Sequence, residues 1–555
     1  LLIKISSRSG LICAVSARLD EYHKTSYTSF RALPPSKNDH EAETSASHWQ
    51  AAAAAAVEQR RLGQVHAGTA RNVVMFLGDG MSVPTLAAAR TLLGQRGGAS
   101  GEEAQLAFEA FPVTGLVKTY CVDSQIPDSA CTATAYLCGV KANRGTLGVA
   151  GSVQRGDCVA AADEPSRLDS IAAWALRDGR DAGLVTTTRV THASPGGLYA
   201  HSAERGWESD ADVASSCGGE AQPDIAAQLV REQPGSLFKV ILGGGRREFL
   251  PNTTIDEEGT RGRRLDGRNL INEWREDKVA RKVSHEYVWN REQLMLLSED
   301  PPEYLLGLFE GSHMHYHMQA DPRTEPTLAE LTEVAIRSLS RNERGFFLFV
   351  EGGRIDHAHH DNLVQLALDE TIEMAEAVAR AAELLSEEDS LLVVTSDHAH
   401  VMAFNGYSHR GNDILGPSGD LGDDGVPYMT LSYTNGPGFR PHVRHGVRED
   451  VTQYDYHDVK FAHPAEVPLA SETHGGDDVA VFARGPHQHL FSGLYEQSHL
   501  PHLMAHAACL GPAPRAPACL PDLRIGFSFS SSSLYVVSVE RLSLLDIGLP
   551  QGSPQ

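Results

Sequence analysis

Apolar runs of strand length recur along this chain and break off at acidic or imidazole side chains, a pattern that suits an open α/β sheet. VVMFLGD ends at Asp79, FFLFVEGG carries Glu351, and LLVVTSDH ends at Asp397 and His398. Segments with helical periodicity lie between them, such as VPTLAAARTLL after the first run and NLVQLALDETIEMAEAVARAAELL after FFLFV. This alternation predicts an α/β fold: a doubly wound, largely parallel sheet flanked by helices. Sheets of that kind bind ligands beyond the carboxyl ends of their strands, where these side chains would sit.

The same residues use the vocabulary of a metal centre. In RIDHAHH, Asp356 and His360 are four apart, so one helical turn puts both on one face, with His357 beside them. His474, in SETHGGDD ahead of the run DVAVFARG, adds an imidazole. One Asp-His pair after a strand more often caps a helix or closes a turn. Four such segments argue for a shared site. Mixed Asp/His ligation suits zinc, and Glu351 with a nearby hydroxyl suits magnesium, which prefers oxygen. In IPDSACTATAYLCGVKAN, Ser129 opens a helix-like run, at the end where unpaired amides and the macrodipole favour negative charge. Alone, Asp128-Ser129 is a helix cap; beside metal ligands, Ser129 is a hydroxyl whose pKa a zinc ion lowers.

FLGDGM, PDSACTATAYLCGVKAN, VTTTRVTHASPGGLYAH, VILGGGRREF, RLDGRNL, GFFLFVEGGRIDHAHH, TSDHAHV and ETHGGDDVAVFARGP, in this order, resemble the animal alkaline phosphatases, arthropod-like members in particular. The resemblance runs from around Trp49 to Cys519. It implies a phosphomonoester hydrolase of broad specificity, working at alkaline pH through a phosphoserine, with two zinc ions and one magnesium ion per chain. By that resemblance one zinc is held by Asp356, His360 and His474, and the other by Asp79, Asp397 and His398, with Ser129 as its remaining ligand. Magnesium would take Asp79, Ser194 and Glu351. Ser129 is implied as the nucleophile, and Arg205, in HSAERGW, as the planar fork that clasps phosphoryl oxygens. Arg189 lies nearer the strand and is not the matching arginine. His192 and His357 would face the phosphate or act through water. Ala130-Cys131 departs from the glycine of many relatives, and activity is still expected. The loose transition state of a monoester dianion builds charge on the leaving oxygen, which one zinc would offset while the other activates Ser129. The alternatives are a catalytically silent surface receptor, or a phosphodiesterase or sulfatase of the same superfamily. Intact Ser129, Arg205 and ligands argue against the first, and Arg205 beside a magnesium site favours the full monoester dianion over the second.

A chain of 555 residues, 41% hydrophobic and 22% charged, is ordinary for a globular protein with a large core. Its net charge of −24 argues against nucleic-acid or anionic-membrane partners, and bound cations would offset it locally around an anionic substrate. Residues 1–47 are polar and aperiodic and are expected to be disordered. Ala51 to Ala56 is a strong helix former, by resemblance part of an arm that embraces the partner subunit of a homodimer. Residues 48–520 would form the catalytic domain and 521–555 a disordered tail. Within the catalytic domain, residues of about 405–472, rich in Gly, Pro, His and Tyr, would form by resemblance a crown-like insertion over the dimer interface.

No two of the eight cysteines form a CxxC pair, and spacing alone leaves the compartment open. The resemblance implies bridges Cys158–Cys217 and Cys509–Cys519, hence an oxidising compartment. Cys138, on the helix after Ser129, reads as a buried free thiol, and Cys121 and Cys131 could bridge or stay reduced. Asn252-Thr253-Thr254 is an acceptor sequence for N-linked sugar, consistent with secretion. LLIKISSRSGLICAVSA is interrupted by Lys4 and Arg8 and makes a poor signal peptide as it stands. No uninterrupted apolar run reaches the roughly 18 residues of a membrane span. Glu540, Arg541 and Asp546 break the hydrophobic stretch that a lipid-anchor signal needs, so an extracellular or surface location without such an anchor is expected.

Overall fold

NVVMFLG becomes the central strand because its side chains alternate between two apolar cores. Val73, Met75 and Leu77 join one cluster and Val74 and Phe76 another, and the whole strand is buried. The computed structural model describes residues 68–217 and 223–511, together with the backbone of an antiparallel pair, Phe527–Ser530 and Ser533–Val536. That pair falls within the tail expected to lack structure. The N-terminal segment, its Ala-rich arm and Cys519 lie outside the described residues.

One 10-stranded sheet organises the molecule. Its strands are β1 (Asn72–Gly78), β2 (Val113–Lys118), β3 (Asp181–Arg189), β4 (Val240–Gly244), β5 (His285–Val288), β6 (Tyr304–Leu308), β7 (Phe346–Gly352), β8 (Ser390–Ser396), β9 (Val479–Arg484) and β10 (Gly493–Glu496). They lie in the order β10-β2-β9-β8-β1-β7-β3-β4-β6-β5. Neighbours are parallel except around β9, which runs against both β8 and β2. Strands β4, β6, β7 and β8 are buried throughout, as strands covered on both faces must be, while the edge strands β5 and β10 are partly exposed.

Helices α1 (Val83–Arg96), α3 (Leu328–Leu339) and α5 (Val364–Leu384) cover one face. Helices α2 (Ser129–Cys138) and α6 (Leu500–Ala508) cover the other. Local chemistry sets their starts. Ser82 caps α1, with Pro84 in its first turn, and at α3 Thr327 and Glu330 form a reciprocal capping box. Strands β8, β1, β7 and β3 are adjacent and parallel, so their carboxyl ends lie side by side at one edge of the sheet.

His474 does not follow a strand's carboxyl end as the other ligand candidates do. It precedes β9, and because β9 is antiparallel its amino end lies at the same edge of the sheet. Within the region set apart as 405–472, Leu431–Gly436 pairs with Met402–Phe404 and with Ala465–Pro468 in a small separate sheet, accompanied by two short ribbons. Two bridges are closed among the described cysteines: Cys158–Cys217, and Cys121–Cys131, which the sequence left open. Cys138 is free and buried. Cys509 is disulfide-bonded, but Cys519, its expected partner, is outside the described residues.

Candidate active site

Asp128 caps α2 and organises what stands around it. Its Oδ1 accepts from Cys131 N at 3.3 Å and Gly145 N at 2.9 Å, and its Oδ2 from Arg205 Nη1 at 3.0 Å. Burial would raise the carboxyl's pKa, but Arg205 and the amides outweigh it and hold the group below the usual carboxylate range. Ser129 is therefore the first residue of a wholly buried helix, with its Oγ 3.3 Å from His398 Nε2 and the positive end of the macrodipole behind it.

Four segments deliver the remaining groups to this point. Helix α4 (Arg354–His360) begins just past β7 and presents Asp356 and His360 on one face, with Asp356 Oδ1 3.4 Å from His360 Nε2. The same oxygen lies 3.3 Å from His474 Nε2, and the two imidazoles approach to 3.1 Å. Each of these rings is steered by a backbone carbonyl at its Nδ1, Glu472 for His360 at 2.6 Å and Pro127 for His474 at 2.8 Å, which turns both Nε2 atoms inward. Burial lowers the pKa of His360, favouring the neutral ring a metal requires. Asp79 and Asp397, beyond β1 and β8, lie with His398 in a second cluster, with His398 Nε2 3.0 Å from Asp397 Oδ2 and 3.6 Å from Asp79 Oδ1. Gly80 N donates to Asp397 Oδ1 at 2.9 Å. Gly80 has φ +70°, and a Cβ there would lie 2.4 Å from the His400 ring, so both conformation and space demand glycine.

Buried oxygens without partners test whether metal ions fit. Both carboxylate oxygens of Asp79, Oδ2 of Asp397, Oε1 of Glu351 and Oγ of Ser194 are buried and accept no hydrogen bond. Burial, followed by Asp397, Asp356 and Glu351, pushes Asp79 well above the usual carboxylate range. Burial likewise raises Asp397 to about 6 and Glu351 to about 7. Leaving such oxygens unpaired costs about 1–3 kcal/mol each, and more for a charged group. Divalent cations would satisfy these oxygens and reverse the repulsion between the carboxylates, so the residues fit the ions. Glu351 Oε2 accepts from Thr188 Oγ1 at 3.1 Å and from Thr186 Oγ1, leaving Oε1 for a ligand. Ser194 sits in a single helical turn, Ala193–Gly196, that follows β3.

On the solvent side, Arg205 Nη2 donates to His192 Nε2 at 3.2 Å, and Arg354 Nη1 to His357 Nδ1 at 2.8 Å. Burial drives the His357 pKa down to about 3, so its ring is neutral throughout the alkaline range. Arg189 is turned away and grips Glu208 with two bonds of 2.7 Å.

The sequence reading missed three supports. His400 lies 2.7 Å from Asp356 Oδ1 and 2.6 Å from Glu472 Oε2, His313 packs on His357 with ring centroids 4.3 Å apart, and Thr186 and Thr188 hold Glu351. His398 and His400 alternate in an extended stretch and so share a side, a signal present in TSDHAHV. Asn252 is exposed in a turn remote in sequence from these groups.

Comparison with known proteins identifies the family of the chain. A family model for alkaline phosphatase matches residues 70–510. The membrane-bound alkaline phosphatase of Bombyx mori is 61% identical over 500 residues, 89% of this chain and 90% of that protein. The tissue-nonspecific isozyme of Gallus gallus is 48% identical over 458 residues, 81% of this chain and 87% of its own length. Among solved structures, Thermus thermophilus alkaline phosphatase superposes with a TM-score of 0.57 at 24% identity, covering 82% of this chain and 97% of that one, which shows the shared fold. At such identity, over nearly the full length of both the insect relative and this chain, the protein belongs to the alkaline phosphatase family.

Proposed function

We propose that these residues form a phosphomonoesterase site in which Ser129 is the nucleophile and Arg205 holds the phosphoryl group. The chain is a metal-dependent phosphomonoester hydrolase by its family; which residue does what is our reading. The observation that carries it is Ser129 Oγ at the start of a buried helix, 3.3 Å from His398, with Arg205 fixed nearby through Asp128. Asp356, His360 and His474 would hold one zinc ion, Asp79, Asp397 and His398 a second, and Asp79, Ser194 and Glu351 magnesium. Bound there, these ions would lower the pKa of the Ser129 hydroxyl and offset charge on the leaving oxygen.

The chain's own groups do the rest. Arg205 offers the phosphoryl oxygens the N–H groups it does not give to Asp128 and His192, while Asp128 keeps it from rotating away. Ser129 Oγ forms the new bond to phosphorus as the alcohol departs, which leaves the phosphoryl group on the serine. Water then takes that group and restores the hydroxyl. His192 and His357 line the approach as neutral rings and add no charge to compete with Arg205. Since the leaving group meets little of this machinery, specificity is broad across monoesters.

A homodimer is supported by exposed Phe404, Tyr407, Val467 and Leu469 on and beside the insertion. An extracellular or surface location is supported by the two closed bridges, and exposed Asn252 suits a sugar. No helix among the described residues is long and apolar enough to cross a membrane. Hydrolysis of a chromogenic monoester at alkaline pH, with diester and sulfate analogues alongside and metal content measured on the same sample, tests the reading. Fast turnover of the monoester alone, with zinc and magnesium bound, is expected; preference for the diester or sulfate, or full activity without metal, would refute it.

A further inference from the structure

Between β2 and α2 the chain crosses residues 119–128 without regular structure, exposed at Val122, Asp123, Gln125 and Ile126. Its inner end carries three parts of the site in consecutive residues. The Pro127 carbonyl steers His474, Asp128 holds Arg205, and Ser129 carries the hydroxyl. A disulfide closes this stretch on itself. Cys121 and Cys131, 10 residues apart, are 3% and 2% exposed and form a small buried cluster with Ala142. Cys131 is also the residue whose amide completes the Asp128 cap. The other ties of the stretch include Val122 N to Ala142 O at 3.0 Å, Arg144 N to Asp123 Oδ1 at 2.8 Å and Ser124 Oγ to Ile126 O at 2.7 Å, the last two at exposed positions.

We propose that Cys121 and Cys131 are positioning residues for the phosphatase reaction. Their bridge keeps Pro127, Asp128 and Ser129 in register, so that the His474 ring stays turned inward while Arg205 and the nucleophile meet the same phosphoryl group. The proposal rests on the roles assigned above to those three residues. Buried α2 anchors Ser129 from its carboxyl side, and the bridge anchors the exposed approach from its amino side. Closing a loop of 10 residues removes somewhat less entropy from the unfolded chain than the 59-residue span of Cys158–Cys217, so opening the bridge lowers Tm as well, and phosphate affinity rather than Tm reads its effect on native geometry. Displacing a positioning group by about 1 Å can lower a rate by about 100-fold. A dithiol reductant would open the bridge by thiolate exchange, leaving two cysteine thiols and the reductant as a cyclic disulfide, and glutathione disulfide would close it again.

The test compares metal-loaded wild type, the Cys121→Ala/Cys131→Ala variant, and wild type reduced under native conditions with bridge opening mapped by mass spectrometry. Inorganic phosphate affinity by calorimetry, kcat, KM, metal content and Tm are read on each. The open forms are expected to bind phosphate at least roughly fivefold more weakly and to lose kcat by a similar factor, with metal content unchanged and reoxidation restoring both. Phosphate affinity and kcat within about twofold of wild type, with only Tm lowered, would make the bridge merely structural and overturn the proposal. If the double variant does not fold, the reduced wild type decides. Acid-quench labelling separates the two levels of the argument: no label on wild-type Ser129 removes the role assignment, whereas label with unchanged phosphate affinity in the open forms removes only the role of the bridge.

Discussion

His400 sits between Asp356 and Glu472, and although burial opposes its charge, the two carboxylates push its pKa up to about 10. Its Nε2 holds Asp356 Oδ1, the same oxygen that faces His360 and His474, and so orients the carboxylate. Replacing it as His400→Gln keeps a hydrogen-bonding side chain of similar reach but removes the charge. Zinc affinity, measured by competition with a chelator, should fall by about 10–100-fold, with activity falling in step; an unchanged affinity would show that His400 only packs. Residues of this kind were hard to read in advance. TSDHAHV shows two imidazoles on one side of an extended chain, but which one meets a metal and which one holds a ligand depends on Glu472, a partner 72 residues later. Asp356 and His360 were legible because their spacing of four has a single helical meaning, and Ser129 because small residues after Asp128 mark a helix start.

At the scale of elements, short apolar runs of strand length gave the strands away, and all seven residues of β1 are buried, as a strand covered on both faces requires. The reversed direction of β9 was not legible, because an apolar run carries no record of which way its neighbours point. The turn at His317–Gln319 docks on α5 by a contact that no pattern announces: His317 Nδ1 donates to Asp369 Oδ2 at 2.8 Å, and His317 N to Glu370 Oε1 at 2.6 Å. The Asp369 bond raises the His317 pKa to about 9 against an ordinary value near 6.5. A group raised in the folded state stabilises fully below its unfolded pKa and loses that contribution as pH rises through the folded one. The docking should therefore weaken on entering the alkaline range. In Tm measured from about pH 7 to about pH 10, wild type should fall more steeply than His317→Gln. Parallel curves would mean that the imidazole stays neutral across the range.

The molecule as a whole brings distant segments to the candidate metal site, with Asp79 after β1, Asp397 and His398 after β8, and His474 ahead of β9. Ions held there, as proposed, would act as cross-links between parts of the sheet that the chain visits early and late. Chelation should abolish activity and lower Tm together, because ligand-linked stability on the order of 4 kcal/mol disappears when an ion present at a thousandfold excess over its dissociation constant is withdrawn. Replacement of zinc and magnesium should restore both; loss of activity without any change in Tm would mean that the ions are not shared between segments. The account depends most on Ser129, and a labelled phosphate monoester tests it directly. Mixed with metal-loaded enzyme and quenched in acid within a few turnovers, the wild type should carry label on Ser129, and Ser129→Ala should carry none, turn over at least about 1,000-fold more slowly and keep its metals. Rapid turnover by wild type with label absent from Ser129, or near-normal activity in Ser129→Ala, would contradict it.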